Sequence, residues 1–349
     1  MNVLLVSPQM DNPNGGIAVW TDIYLASCKD AGIECDLVNT QPIGARAKNG
    51  GAKRNFFDEI VRTKSIFDQL NTIMKNSEHD VIHINTSCGT FGLIRDYLIA
   101  KRAKKLNPKS KIIVHFHCDI PVQVKGAISK LFLSKLLKVS DANLVLCENS
   151  AQFLIKDFNC DSIKVPNFID EDVIIKSKKQ ISDHIKKAFF VGRVIKEKGA
   201  LELFELAKRF PEIEFCLVGA IGKGIEAPDS LKNLNMPGLM SHNNVIKEMD
   251  ESDIFIFPTH SEGFSIALME AMARGLPTVT TDVGANKDMI ESGGGVITPV
   301  GDIEALSSAI KALSSKETRA SMSIWNVEKV KGNYTTAAVM KKIINCYEA

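Results

Sequence analysis

The chain has 349 residues, 45% hydrophobic and 24% charged, with a formal net charge of +2. That is ordinary globular composition, long enough for two domains and too balanced to name a nucleic acid or other polyanion as partner. No run approaches the roughly 18 apolar residues of a membrane span, and the eight cysteines stand singly with no C-x-x-C, so free thiols in a reducing cytosol are expected, with neither a disulfide framework nor a zinc site.

The opening MNVLLVSPQ reads as a first core strand; its apolar stretch is too short for a signal peptide. Strands are predicted at 2–6, 80–85, 111–116, 143–147, 187–192, 213–219, 253–257 and 277–280, all short and apolar on consecutive positions, as suits strands covered on both faces. Helical patterns lie between them at 17–31, 56–75, 91–105, 125–138, 199–209, 265–274 and 303–313, with a last helix near 335–347. Strand–helix alternation implies parallel, doubly wound sheets. The series breaks at the polar, Lys-rich stretch 164–187, read as a hinge. The predicted domains are therefore 1–170 and 171–330, with 331–349 a terminal helix that can pack back on the first domain. In such sheets ligands bind beyond the carboxyl ends of strands, so two facing sheets predict a central cleft.

The loops at those ends carry the candidates. In VSPQMDNPNGGIAVW (6–20), Gly15 and Gly16 allow close approach to the backbone before a helix start, without a P-loop or G-x-G-x-x-G pattern. At IIVHFHCDIP (112–121), His115 and His117 project to one side and Asp119 follows; this is a weak zinc signal, and His117 is the better cleft candidate. His83 and Asn85 end a similar strand. Ten Lys/Arg against one acid, Asp119, lie between Lys101 and Lys138. Within 121–142 the lysines 125, 130, 135 and 138 accompany Val124, Ile128, Leu131, Phe132, Leu136 and Val139 at helical spacing, widened by Leu133 and Leu137. Two readings stand open, a core helix with a solvated Lys face and a surface for an anionic membrane.

In FFVGRVIKEKG (189–199), Arg193 follows the strand-ending Gly192, and Lys198 immediately precedes a helix. Cations oppose a helix N-terminus, and an anion held between them resolves the conflict; a fork and a point charge suit a diphosphate. In PTHSEGFSIALMEAMARGLP (258–277), Ser265 is the expected N-cap, Glu262 lies in the loop before it, and Glu270 lies inside an otherwise apolar helix. The N–H groups of Phe264, Ser265, Ile266 and Ala267 offer an anion site. Glu270 has two readings: an i,i+4 pair with Arg274, or an acceptor for vicinal hydroxyls such as a ribose.

Together, GR…KG (Gly192, Arg193, Lys198, Gly199) and residues 258–302, with Glu262 and Glu270 in E-x7-E spacing, resemble the retaining GT-B glycosyltransferases of glycosyltransferase family four. The first half matches more loosely, through the Gly-Gly loop, His117 and the VPN hinge (165–167). The resemblance implies two Rossmann-like domains and a nucleotide-diphosphate-sugar donor, held mostly by the second domain. Arg193 and Lys198 would hold the pyrophosphate, Glu262 and the backbone of Gly263 the sugar and phosphate, and Glu270 the ribose. Gly16 would lie near the diphosphate and His117 near the sugar, while MPGLMS (236–241), with Leu239 and Met240, would cradle the base. His117, Arg193, Lys198 and Glu262 are the expected catalytic group. The implied activity is retaining, metal-independent transfer of a hexose, with UDP the leading nucleotide, to a glycan or lipid-linked acceptor in polysaccharide, lipopolysaccharide or lipid-linked oligosaccharide synthesis. No cofactor and no nucleic acid is expected. The expected location is the cytoplasm, with peripheral contact at the inner membrane face through 101–138. The alternative is a nucleotide-sugar epimerase on the same fold. Asp170-Glu171-Asp172 matches D-x-D literally, but it reads as exposed linker.

Overall fold

The computed structural model describes residues 1–10, 16–44, 55–291 and 293–349, and of Phe56 only the backbone. The candidate Gly15 lies outside the described residues. The chain forms two units, one made of residues 1–167 with 339–349, the other of residues 168–338.

In the first unit the elements follow as β1 (Asn2–Ser7), α1 (Gly16–Asp30), β2 (Glu34–Asn39), α2 (Phe56–Asn76), β3 (Val81–Thr86), α3 (Thr90–Leu106), β4 (Lys111–Phe116), α4 (Ile120–Gln123), α5 (Ala127–Leu137), β5 (Ala142–Val145), α6 (Glu148–Phe158) and β6 (Ile163–Lys164). The strands form one parallel sheet in the order β2-β1-β3-β4-β5-β6. Its central strands are buried on both faces: every residue of β3 is buried, as are five of six in β1 and β4. The helix expected over 125–138 is α5, which begins after its N-cap Gly126; the short α4 precedes it and lies outside the expected helices. Val124, Leu133, Leu136 and Leu137 face the core, whereas Ile128 and Leu131, expected on the same apolar face, are exposed beside Lys125, Lys130, Lys135 and Lys138.

The second unit contains β7 (Lys187–Val191), α7 (Ala200–Arg209), β8 (Glu214–Val218), β9 (Leu234–Gly238), α8 (His242–Glu251), β10 (Ile254–Phe257), α9 (Ile266–Ala273), β11 (Thr278–Thr281), α10 (Asn286–Ile290), β12 (Gly295–Thr298), α11 (Ile303–Ala312) and α12 (Lys316–Asn333). Its parallel sheet runs β12-β11-β10-β7-β8-β9. Helix α12 passes straight through residue 330, and α13 (Thr336–Glu348) carries the chain on into the first unit. The polar stretch read as a hinge contains the boundary between the units, after Asn167, and its later part is laid along the second unit. Ile175 N–H donates to Ala273 O at 3.0 Å, and the N–H groups of Lys186 and Lys187 donate to Asp253. Lys179 Nζ donates to Met249 O and Asp250 O at the carboxyl end of α8, where the helix dipole favours a cation; burial lowers this amine to about 8. Asp170 caps the short 3-10 turn Glu171–Val173, and the D-x-D acids are exposed, away from any core strand end.

Candidate functional site

Two loops of the second unit meet at the carboxyl ends of neighbouring strands. The first leaves β7 through Gly192 and Arg193 and tightens into a 3-10 turn over Lys196–Lys198 before α7. The second leaves β10 as Pro258-Thr259-His260-Ser261-Glu262-Gly263-Phe264 and enters α9 at Ser265, whose side chain accepts from Leu268 N–H at 3.2 Å as expected of an N-cap. They are stitched together by backbone and side chain. His260 N–H donates to Glu197 O at 2.9 Å, and Lys198 Nζ donates to Ser261 O at 2.9 Å and to Glu262 Oε1 at 2.5 Å. Both partners of that ion pair are mostly buried, with side chains 19% and 17% exposed. Burial pushes the Glu262 carboxyl above its usual range; Lys198, and then Arg193, pull the other way. Arg193 is exposed and, among the described residues, forms no ion pair.

Neighbouring residues hold this loop in place. Thr281 Oγ1 donates to Thr259 O at 2.5 Å, and Ala285 N–H to Gly263 O at 2.9 Å, so the turn after β11 supports the Glu262 segment from behind. Phe264 is buried, edge-on to Tyr334 at 5.4 Å, and Ile266 is partly exposed. His260 Nε2 lies 2.6 Å from Glu202 Oε1 in the first turn of α7. Sequence reasoning passed over His260, because its partner lies 58 residues away.

Glu270 is partly buried on α9, but its partner is not Arg274. Arg274 forks onto Asp250, with Nε–Oδ1 at 2.7 Å and Nη2–Oδ2 at 2.6 Å, and donates to Val173 O, so the helical-pair reading is overturned. Glu270 Oε1 instead lies 2.8 Å from Nε2 of His242, the first residue of α8. Of the segment assigned to the base, residues up to Gly238 belong to the edge strand β9, Leu239 is 80% exposed, Met240 is partly exposed and Ser241 caps α8.

In the first unit, His117 follows β4. Its Nε2 lies 3.1 Å from Asn85 Oδ1; Asn85 Nδ2 donates to Ser7 Oγ at 2.9 Å, and Ser7 Oγ meets Thr21 Oγ1 at 2.6 Å. Because Asn85 spends its amide on Ser7, its oxygen faces His117, and Nε2 carries the proton. The rings of His117 and His115 lie 4.1 Å apart, His115 and His83 5.5 Å apart, and Trp20 touches all three. Behind them Tyr347 of α13 places its hydroxyl 2.5 Å from His83 Nδ1 and 2.6 Å from that of Tyr24. Asp119 is held by Asn149 and Ser150. Among the described residues no group of three or more His, Cys, Asp or Glu is arranged to hold a metal, and the His115–His117–Asp119 zinc reading has no structural support. Gly16 opens α1 and, with Pro8, Asn85, Ser87 and Phe91, lines a cavity of about 460 Å³ at the carboxyl ends of the strands.

Burial holds all three imidazoles well below the usual histidine range, His115 to about 3; for His83 and His117 the neighbouring rings add to the effect, and for His117 a hydrogen bond with Asn167 opposes it. These groups are neutral when folded, whereas the unfolded chain takes up protons below about pH 6.5. Their contribution to stability is therefore full above that pH and lost as pH falls toward the folded values, by at most about 1.4 kcal/mol per pH unit for each ring. Urea unfolding followed through Trp20 in a Trp325→Phe background is expected to show a midpoint that drops from pH 7 to pH 4. A flat profile would remove the neutral stack.

The family model of the glycosyl transferases group 1 matches residues 172–329. The chain is 23% identical to the capsular polysaccharide biosynthesis glycosyltransferase CapM of Staphylococcus aureus, over 68% of this chain and 63% of that protein, a little under two thirds of its length. Among solved structures it is similar to the sucrose-phosphate synthase of Thermosynechococcus elongatus (TM-score 0.79, 14% identity, covering 99% of this chain and 98% of the other). It is also similar to Alr3699/HepE of Anabaena in complex with UDP and glucose (TM-score 0.69, 15% identity, 100% and 99%). Among the described residues no helix is long and apolar enough to cross a membrane. The chain thus has the two-unit α/β GT-B fold, and its second unit carries the match to the glycosyl transferases group 1.

Proposed function

We propose that this chain is a retaining, metal-independent glycosyltransferase, which moves a hexose from a nucleotide-diphosphate sugar to a glycan or lipid-linked acceptor. The observation that carries this reading is the partly buried Lys198–Glu262 pair, set where a strand-end loop meets a helix start, with Arg193 close enough to influence Glu262. Transfer from such a donor leaves negative charge on the departing diphosphate. Lys198 and Arg193 are fixed cations for that charge, and a preorganised cation stabilises it without solvent rearrangement. Glu262 takes the sugar hydroxyls and Glu270 the ribose. His117, neutral with its Nε2 proton fixed by Asn85, is a hydrogen-bonding group at the carboxyl end of β4. UDP is the leading nucleotide, in keeping with the ligand of the similar Anabaena protein. Retention rests on the resemblance of the E-x7-E segment.

The exposed lysines of α5, with Ile128 and Leu131, are the proposed contact with an anionic membrane; flotation with phosphatidylglycerol vesicles at low salt is expected to carry the protein upward, and no binding would end that part. The central experiment is thermal stabilisation and slow donor hydrolysis with UDP-, GDP- and ADP-sugars, with and without EDTA. One nucleotide class is expected to raise the melting temperature and be hydrolysed in both conditions. Activity lost to EDTA and restored by Mn²⁺ would overturn metal independence. A donor converted to its epimer without an acceptor would overturn transfer.

A further inference from the structure

His242 has no role in the reading above, yet it occupies the carboxylate assigned to the ribose. Its Nε2 lies 2.8 Å from Glu270 Oε1, bridging the start of α8 and the middle of α9. The histidine side chain is 57% exposed and the glutamate 14%. The pair therefore sits at the surface of the second unit, with Glu270 the inner partner and His242 the outer one. His242 follows closely on Leu239, which is open to solvent, and Met240, which is partly exposed.

The charges around the ring are few. From α9 the group facing it is Glu270. On its own helix Lys247 reaches Glu251, Glu248 holds Lys187, and Asp250 takes Arg274. His242 also stands at a helix N-terminus, where the dipole disfavours an imidazolium. Its bond to Glu270 outweighs that, together with some desolvation, and raises its pKa above the ordinary value.

We propose that His242 is a positioning and specificity residue of the donor subsite, acting as an internal stand-in that holds Glu270 until the vicinal hydroxyls of a nucleotide ribose displace it. This deepens the donor assignment above and rests on it. A diol offers Glu270 two neutral O–H donors, so the exchange swaps an ion pair for hydroxyl bonds. His242, separated from its carboxylate, then gives up a proton: protonated His242 with Glu270, plus donor, yields donor-bound protein, neutral His242 and one H⁺. Affinity is then linked to pH by mass action. It rises with pH up to the free protein's His242 pKa, by at most about tenfold per unit, and levels off above it. A ligand lacking the ribose diol cannot repay the lost pair, which makes the latch a filter for ribonucleotides.

The test is calorimetry at pH 6, 7 and 8 with UDP-glucose, whose diphosphate diester does not titrate in this range, or with GDP-mannose or ADP-glucose if one of those binds instead. Two buffers of different ionisation enthalpy count the protons released. For the wild-type protein a several-fold tighter Kd at pH 8 than at pH 6 is expected, with proton release on binding below the free protein's His242 pKa. For His242→Ala the expectation is pH-independent binding, no proton release, and affinity at pH 6 no weaker than that of the wild type at pH 8. A flat wild-type profile, the same slope in the variant, or uniformly weaker binding by His242→Ala would each overturn the latch. NMR titration of the His242 ring in free protein, against Glu270→Gln, separates the two layers. If no nucleotide sugar binds while the ring still titrates high and drops in Glu270→Gln, the pair exists and the donor reading has failed. If the ring titrates alike in both proteins, the latch fails whatever the donor does.

Discussion

Lys198→Ala is expected to leave the protein folded and to lower turnover at saturating donor by roughly 10²–10³, the effect of deleting one preorganised group that meets developing charge. Lys198 ends a 3-10 turn directly before α7 and is held by Ser261 O and Glu262 Oε1, so its ammonium is already fixed between the two loops. Its loss also strips Glu262 of the nearest cation. Burial, which already raises that carboxyl, then acts with only Arg193 opposing it. The acid limb of the pH–rate profile should therefore move to higher pH in Lys198→Ala. Lys196→Ala, on the exposed face of the same turn, is expected to behave as wild type. Near-normal turnover in Lys198→Ala would remove the pyrophosphate assignment, and a rate loss with an unmoved acid limb would separate Lys198 from Glu262.

Gly199→Ala is expected to destabilise the second unit by about 3 kcal/mol, read as a drop in urea midpoint, and to lose activity with it. Gly199 has φ +83°, a conformation that costs an L side chain about 1–2 kcal/mol. A Cβ there would also lie 2.4 Å from Pro258 O and 2.9 Å from Pro258 C, backbone atoms that cannot rotate away. The Lys198 turn and the Glu262 loop would have to separate. Gly224→Ala is the control, because its φ is +75° but nothing lies within 4 Å of an added Cβ. The difference between the two variants isolates the contact with Pro258. Equal losses would mean that the junction is softer than its geometry.

The interior of both sheets was legible because buried parallel strands must be apolar on both faces. The eight strands expected from consecutive apolar residues are the interior strands of the two sheets, with boundaries off by a residue or two. The four that escaped, β2, β6, β9 and β12, are the four sheet edges. An edge strand needs burial on fewer sides, so it loses the apolar run: β2 reads ECDLVN with alternating exposure, and β9 contains Pro237, which only an edge tolerates. Helices α6, α8, α10 and α12 also escaped; α6, α8 and α10 are short, at 11, 10 and 5 residues, and α12 is largely polar. At the site, the residue types at strand ends pointed to the two loops that meet. Their pairing did not show, because Lys198 finds Glu262 across 64 residues and His242 finds Glu270 across 28. Local spacing offered Glu270 only Arg274, and a helix one layer away claimed that arginine for Asp250.

The return of α13 to the first unit sets an order of assembly. Tyr24 and Tyr347 meet across 323 residues, so the first unit, though made first, waits for the last segment to finish its core. The second unit is continuous and can close as soon as it emerges. When it does, it ties its own two ends together: Ile169 bridges Thr335, accepts from Thr336 Oγ1 at 3.2 Å and donates to Tyr334 O at 3.0 Å. A folded second unit thereby replaces a long flexible insertion with a short clasp, lowering the closure entropy for docking α13 by roughly 3 kcal/mol. A lesion that delays folding of the second unit is therefore expected to delay completion of the histidine stack in the first as well.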